Sequence, residues 1–247
     1  MGVLRAAAQC RPLAGRESMR DDILELLHSR KGHFRLESGH HGELWLQLER
    51  LCLQVKPVEQ LATELAGRLL RHKIDIVCGP LVEGAFVALL VASRLRVPFT
   101  YAERLAASEA GVLYGVRYLI PQGIRSELVG KQVAIVNDVI NAGSAVRGTF
   151  ADLLECGAKP VAIGSLLALG AWASEFAKEH GLALETLTSM PNRVWEPSTS
   201  RCALLAIRWS MRPQRRHYPL PANIGLEPSR QSSCAIMSAR RAAQAAR

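Results

Sequence analysis

Residues 132–145 read QVAIVNDVINAGSA and predict a strand, a turn and the start of a helix. Its apolar, β-branched run at residues 133–136 predicts a buried strand, and residues 145–156 predict a helix. Asn137 and Asp138 then end the strand, and a turn of small residues precedes the helix. Such a turn presents backbone N–H groups and the positive end of the helix dipole, which suits a phosphate. A carboxylate beside it can accept hydrogen bonds from the vicinal hydroxyls of a ribose, so the stretch predicts a sugar-phosphate site.

The same stretch resembles the signature of the type I phosphoribosyltransferases, in which two acidic residues and a Thr-Ala-Gly-Thr-like turn follow an apolar strand. Residues 136–147, VNDVINAGSAVR, are most similar to the orotate phosphoribosyltransferase version. The resemblance implies that Asp138 holds the ribose hydroxyls and that Asn137 replaces the first acid. It assigns the 5-phosphate to the turn, which consists of Asn141, Ala142, Gly143, Ser144 and Ala145. A valine at position 143 is expected to fill this cradle and to leave the fold intact. The alternative interpretation of this stretch is a strand, turn and helix without a ligand, as found in any α/β protein.

A second turn that suits an anion lies in CGPLVEGAF, residues 78–86, between a predicted strand and an apolar helix. Its glycines let the backbone approach the anion closely. In the family this position is the pyrophosphate loop, which here comprises Gly79, Pro80, Glu83 and Gly84. Orotate enzymes often carry Lys where this chain has Glu83, and a carboxylate there is unfavourable unless it faces away or helps to bind Mg²⁺. The alternative is a plain strand-to-helix turn.

Residues 32–51, GHFRLESGHHGELWLQLERL, resemble the N-terminal hood that lies over the base in orotate enzymes. The resemblance places His41 in the basic part of this hood and Trp45 in its aromatic part. The alternative interpretation is a solvated histidine turn and a core tryptophan.

The resemblance is weakest in residues 101–131. Orotate enzymes carry an Arg-Lys pair and then a mobile loop whose Lys and His close over the pyrophosphate, whereas residues 106–123 here contain neither Lys nor His. The family's later base-binding Arg has no counterpart either, because residues 169–171 are Leu-Gly-Ala. The candidate cations of this region, the first two of which we assign to catalysis, are Arg104, Arg117 and Arg125.

Strands alternate with helices of 10–15 residues, which predicts βαβ units and an α/β fold with a mostly parallel central sheet and helices on both faces. Ligands of such folds bind beyond the carboxyl ends of the strands, where Asp138 and the Gly79-Pro80 turn fall. We therefore expect one domain at residues 18–211, with a small hood at residues 18–56. The predicted strands cover residues 33–36, 43–48, 74–78, 98–102, 115–120, 133–138, 160–169 and 184–188, and the predicted helices cover 18–30, 57–72, 84–95, 145–156 and 172–180.

The composition suits one medium domain, because 49% of the 247 residues are hydrophobic. No apolar run reaches the ~18 residues that span a bilayer. The six cysteines are dispersed without a Cys-x-x-Cys pair, which argues against zinc and disulfides and favours a reducing, cytoplasmic compartment. The net charge of +9 suits an anionic substrate, and no nucleic-acid-binding motif is present.

Both ends of the chain are expected to lie outside the domain. Residues 1–17 read as a flexible arm, and residues 212–247, with seven Arg and one Glu, read as a poorly ordered basic tail. Deleting residues 213–247 is expected to leave the Tm unchanged, because the tail has no periodic apolar face to bury. Thermal melting checks this, and a fall of many degrees would show that the tail packs on the domain.

The resemblance implies an enzyme that binds 5-phosphoribosyl 1-diphosphate with Mg²⁺ and transfers the phosphoribosyl group to a nucleobase, orotate, in pyrimidine nucleotide synthesis. It also implies a homodimer. We expect neither a membrane nor a specific nucleic acid as a partner. No residue is assigned as a metal ligand. The alternative is a non-catalytic sensor of phosphoribosyl ligands on the same fold. An unrelated nucleotide-binding α/β protein is disfavoured, because the Gly-x-Gly-x-x-Gly pattern is absent.

Overall fold

The computed structural model describes residues 16–36, 40–105 and 116–196. The strands are β1 (Arg30–Arg35), β2 (His41–Trp45), β3 (Ile76–Pro80), β4 (Phe99–Leu105), β5 (Arg117–Leu119), β6 (Gln132–Ile140), β7 (Lys159–Leu169), β8 (Ala183–Met190) and β9 (Val194–Trp195). The helices are α1 (Arg16–Leu26), α2 (Val55–Leu69), α3 (Glu83–Leu95), α4 (Ser144–Glu155) and α5 (Trp172–Glu179), with 3₁₀ helices at Leu48–Leu53 and Gln122–Leu128. Residues 16 and 17 of the predicted arm belong to α1, which corrects its end, and the rest of the arm and the predicted tail lie outside the described residues.

The main sheet has six strands in the order β5-β4-β3-β6-β7-β8. All of its neighbours are parallel except β5, which runs antiparallel to β4. The carboxyl ends of the parallel strands meet at one edge, which brings the end of β3 beside the end of β6. The predicted α/β fold with a mostly parallel sheet is confirmed.

The core consists of two clusters, one on each face of the main sheet. The helices α1, α2 and α3 pack on one face with Ala134 and Val136 of β6, and α4 and α5 pack on the other with Val133 and Ile135. Successive residues of β6 therefore point into opposite clusters. This explains why its sequence is an unbroken apolar run, since a strand covered on both faces has no polar side.

The hood contains a three-stranded antiparallel sheet in the order β1-β2-β9. The strand predicted at residues 43–48 is displaced: β2 ends at Trp45, and the N–H of Gln47 instead donates to the carbonyl of Leu27, 2.9 Å away. The third strand, β9, was not predicted from the sequence, because two residues show no alternation. It adds a C-terminal segment to a hood that the sequence placed wholly at the N-terminus.

Among the predicted strand ends that differ from the structure, two carry candidate site residues. The strand β6 runs on to Ile140, because Val139 and Ile140 still pair with β7, so Asn137 and Asp138 lie inside the strand. Likewise Gly79 and Pro80 belong to β3, since both pair with β4. Each site residue nevertheless stays at the carboxyl edge of the sheet.

Two of the described cysteines lie in the core. Cys78 and Cys156 are buried thiols, and burial raises the pKa of each, so both remain protonated packing groups. Of the helices in the described ranges, none is both long and apolar enough to cross a bilayer.

Candidate active site

A cavity of about 280 Å³ opens at the carboxyl edge of the main sheet, between the ends of β3 and β6, the start of α4 and the hood. It brings together most of the residues that the sequence singled out. The predicted site residues that line it are Trp45, Pro80, Glu83, Gly84, Asn137, Asp138, Asn141, Ala142, Gly143, Ser144 and Ala145. Those that do not line it are His41, Gly79, Arg104 and Arg117.

The turn at residues 141–145, which we call the phosphate turn, takes its shape from Gly143. This residue precedes α4 with a φ of +78°. A left-handed φ favours glycine over any residue with a Cβ. The carbonyl of Gly143 accepts the N–H of Arg147 at 2.9 Å, which starts the helix. A Cβ at Gly143 would lie 2.2 Å from ring atoms of Trp172, so this aromatic ring packs directly against the turn.

Asn137 of β6 lies against the pyrophosphate loop. Its Nδ2 donates to the carbonyl of Val139 at 2.9 Å, and a Cβ at Gly84 would lie 2.0 Å from its Oδ1. Gly84 is therefore required for this close approach. Gly79 has a different role, because a Cβ there would meet Ala88 at 2.5 Å. Its lack of a side chain lets α3 pack closely on β3.

The charged side chains that line the cavity, as far as the described residues go, are both carboxylates: Glu83 and Asp138. Glu83 thus lies at the cavity wall, at the position where orotate enzymes often carry Lys. Both carboxylates act on the thiol of Cys52. Its pKa is raised by burial first and then by the charges of Glu83 and Asp138. Two carboxylates at one cavity suit a divalent cation, whose charge they can offset.

In the hood, Trp45 lines the cavity and packs on Phe34, with a ring-centroid distance of 5.7 Å. His41 lies away from the cavity: its Nδ1 is 2.9 Å from Nε2 of His33, whose ring stacks on Trp195. Burial first, and then His33, lower the pKa of His41, which favours the neutral ring. His41 thus contributes to the packing of the hood strands.

The three candidate cations have different positions. Arg104 is exposed near the end of β4 and lines none of the cavities described here. Arg117 lines a second cavity of about 210 Å³, which shares Ser144 and Tyr118 with the first. Arg125 donates from one guanidinium nitrogen to both carboxylate oxygens of Asp152, at 3.0 and 2.8 Å. Arg125 therefore has a structural partner, and we remove it from the candidates.

Comparisons with known proteins agree with this geometry. The family model described as the phosphoribosyl transferase domain matches residues 51–195. The chain belongs to the phosphoribosyltransferase family. This confirms the resemblance found in the sequence and the enzyme class, a pentosyltransferase, that it implied.

Among curated proteins, an orotate phosphoribosyltransferase of Thermotoga maritima is 29% identical over 68% of this chain and 82% of its own length. One of Bartonella bacilliformis is 32% identical over 60% of this chain and 69% of its own. Among solved structures, an orotate phosphoribosyltransferase of Aeropyrum pernix has a TM-score of 0.51 at 21% identity, covering 68% of this chain and 92% of that one. An adenine phosphoribosyltransferase of Thermoanaerobacter pseudethanolicus reaches 0.54 at 18% identity, covering 69% and 99%. At such identities the solved structures support the fold alone.

Several residues in and around this cavity were missed by the sequence reasoning. Leu169 lines the cavity at the position where the family's base-binding Arg was sought. Trp172 supports the phosphate turn, and Asn192 donates from Nδ2 to Oδ1 of Asn141 at 2.9 Å. Leu169 and Trp172 were within reach of prediction, because both flank the end of a predicted strand. No local signal marks Asn192.

Proposed function

We propose that the protein transfers the phosphoribosyl group of 5-phosphoribosyl 1-diphosphate to orotate in pyrimidine nucleotide synthesis. The observation that carries the proposal is the single cavity that holds the phosphate turn, Asp138, the pyrophosphate loop and the hood. The curated relatives, which are named for orotate, support this choice of base.

Each part of the cavity has a role in this proposal. The turn at residues 141–145 binds the 5-phosphate through backbone N–H groups at the start of α4, where the helix dipole favours an anion. Asp138 accepts hydrogen bonds from the ribose hydroxyls, and Asn137 keeps the pyrophosphate loop beside it. Leu44 and Trp45 of the hood, together with Leu169, supply apolar lining for a flat base.

We also propose Mg²⁺ as the cofactor. The donor set fits, because Glu83 and Asp138 supply hard carboxylate oxygens and Mg²⁺ is usually held by one or two carboxylates, substrate phosphates and waters. When bound, the ion neutralises charge on the diphosphate. The fit also gives Glu83 a function that a lysine at this position would not have.

In the reaction, the bond between C1 of the ribose and the diphosphate oxygen breaks, and pyrophosphate leaves with the electron pair. A ring nitrogen of the base supplies the pair for the new bond to C1, and the proton on that nitrogen is released to the solvent. The protein's contribution is to hold the two reactants in line, which removes most of the entropic cost of their encounter. The apolar hood excludes water, which would otherwise compete with the base for C1.

A homodimer and a cytoplasmic location complete the proposal. Val82, Phe86 and Leu89 form one exposed stripe on and beside α3, with exposed fractions of 40, 49 and 47%. Such a stripe beside the cavity suits a second copy, and sedimentation velocity tests it: a monomer for the intact chain would contradict the dimer. The described cysteines are free thiols, which suits the cytoplasm, and cell fractionation tests that location.

The Asp138→Asn variant tests the site. Asn keeps the size of the side chain, so the fold should survive, but the charge that strengthens the ribose contacts is lost. Charge-assisted hydrogen bonds contribute about 1.5–3 kcal/mol each, so affinity for the diphosphate donor should fall at least tenfold. Calorimetry with Mg²⁺ measures this fall, and pyrophosphate release with orotate measures the activity of the unmodified protein.

Asp75→Asn is the matched control, because Asp75 accepts the N–H of Gln132 at the opposite end of β6. It should leave the donor affinity unchanged. Equal donor affinity in Asp138→Asn and the unmodified protein would contradict the assignment of Asp138. An absence of pyrophosphate release with orotate would contradict the proposed reaction.

A further inference from the structure

The segment at residues 191–195, which we call the strap, contacts three walls of the cavity in succession. It leaves β8 at the carboxyl edge of the main sheet and ends as β9 in the hood. Its second residue, Asn192, donates from Nδ2 to Oδ1 of Asn141, at 2.9 Å. Asn141 is the first residue of the phosphate turn and lines the cavity.

The backbone of the strap is fixed beside the end of β7. A Cβ at Gly170, whose φ is +69°, would lie 3.3 Å from the carbonyl oxygen of Asn192. The N–H of Gly170 donates to the carbonyl of Met190 at 2.9 Å. The loop after β7 thus holds the strap in register, directly after Leu169, which lines the cavity.

The other end of the strap is fixed to the hood. The N–H of Arg193 donates to the Glu43 carboxylate at 3.0 Å, and its carbonyl accepts the N–H of Glu43 at 3.3 Å. Val194 then pairs with Gly42 in β2, the strand that carries Leu44 and Trp45 into the cavity. The hydrogen bonds to the hood therefore begin at Arg193, the residue directly after the one that contacts the phosphate turn.

We propose that Asn192 is a positioning residue that couples the phosphate turn to the hood, so that binding of the sugar phosphate prepares the base site. The inference rests on the proposed function, because it needs a phosphate at the turn. A phosphate that orders the turn fixes Asn141, Asn141 fixes Asn192, and the strap then orders β2. Coupling of this kind is reciprocal, so a bound base also strengthens binding of the sugar phosphate.

The expected size of the coupling follows from the bond that carries it. A neutral hydrogen bond has a net value of about 1 kcal/mol, which corresponds to about a fivefold change in an equilibrium constant. The bond is partly buried, and its acceptor, Asn141, is at the cavity wall. Its loss should reduce coupling without unfolding the domain, because the backbone contacts of the strap remain.

Hydrogen–deuterium exchange of the full chain with ribose 5-phosphate tests the proposal. This probe carries the phosphate and the ribose but no base, so it has no group that reaches the hood directly. In the unmodified protein it should slow exchange at the turn, residues 141–145, and also slow exchange of the β2 amides about fivefold. In Asn192→Ala, slowing at the turn should persist, and slowing at β2 should disappear.

Two further variants separate positioning from a merely structural role. Thr63→Ala removes a hydrogen bond of 2.8 Å to the carbonyl of Glu59 on α2, away from the cavity, and should behave like the unmodified protein. Asn192→Asp should restore slowing at β2, because the amide of Asn141 can reverse and donate to the carboxylate. In steady-state assays Asn192→Ala should raise the KM for the base about fivefold and leave kcat near that of the unmodified protein.

The outcomes distinguish this inference from the proposed function. Protection of the turn together with equal protection of β2 in Asn192→Ala and the unmodified protein would overturn the role of Asn192. Protection of the turn alone in the unmodified protein would overturn the coupling itself. No protection anywhere would overturn the phosphate site, and the inference that rests on it would fall too.

Discussion

Replacing Gly143 by valine is expected to abolish ribose 5-phosphate binding and to destabilise the domain. The φ of +78° is a strained conformation for a β-branched residue, at a cost of about 1–3 kcal/mol. The new Cβ would also overlap the ring of Trp172. That ring cannot easily retreat, because it stacks on Phe176 at 4.7 Å with the guanidinium of Arg147 5.7 Å from its centroid. Overpacking of this kind costs about 1–3 kcal/mol more.

This expectation corrects the one drawn from the sequence. The sequence suggested that a side chain at position 143 would fill an open phosphate cradle and leave the fold intact. In the structure the missing Cβ points at Trp172, so the turn itself must move and the fold is affected with it. Loss of binding then results from a displaced turn and not from a filled cradle.

Thermal melting and calorimetry with ribose 5-phosphate measure the two effects of Gly143→Val. The Tm should fall by about 10 °C, as expected for a loss of a few kcal/mol in a domain of this size. Gly181→Val is the control, because Gly181 also has a positive φ, +65°, but has nothing within 4 Å of its Cβ position. It should share the backbone strain and keep the binding. Wild-type affinity in Gly143→Val would mean that the phosphate binds elsewhere.

The sheet could be predicted from the sequence because its signal is local. Residues 133–136 are apolar on both faces of β6, and this pattern has few interpretations other than a buried strand. The end of β6 was missed because it is set by a partner, the pairing of Ile140 with Ala168 in β7. The strand β9 was missed for the same reason, since its two residues are a strand only because Gly42 and His41 face them.

In the candidate site too, short segments could be predicted from the sequence, whereas contacts between residues distant in the chain could not. The phosphate turn and the pyrophosphate loop are short segments, and residues that the sequence singled out in both line one cavity. The contact of Asn192 with Asn141 joins residues 51 positions apart, so no spacing could indicate it. For the cations, residue type gave three candidates, but only the fold shows that Asp152 pairs with Arg125. Which residues carry the site was thus partly readable, and which side chains support it was not.

The second large effect is expected when the arginines that flank residues 106–115 are replaced. That segment reads AASEAGVLYG and contains no Lys, Arg or His, so it has no cation to offer the leaving pyrophosphate. Arg104 and Arg117 lie at its two borders, where Leu105 pairs with Arg117 and Arg104 with Tyr118. A guanidinium can pair with two phosphate oxygens at once, so either residue can supply the missing charge.

At least one of Arg104→Ala and Arg117→Ala should lower turnover by about ten- to a thousandfold, the range for loss of one electrostatic stabiliser. We expect the larger loss for Arg117, because its cavity shares Ser144 with the first cavity. Steady-state assays with orotate, uracil and purine bases measure this. Arg94→Ala is the control, since Arg94 pairs with Glu59 at the exposed surface of α3 and should leave turnover unchanged.

If both site variants are silent, charge on the pyrophosphate must be met by Mg²⁺ alone. If the unmodified protein binds the donor tightly with Mg²⁺ but turns over no base, the proposed transferase activity is wrong and the site serves to sense its ligand.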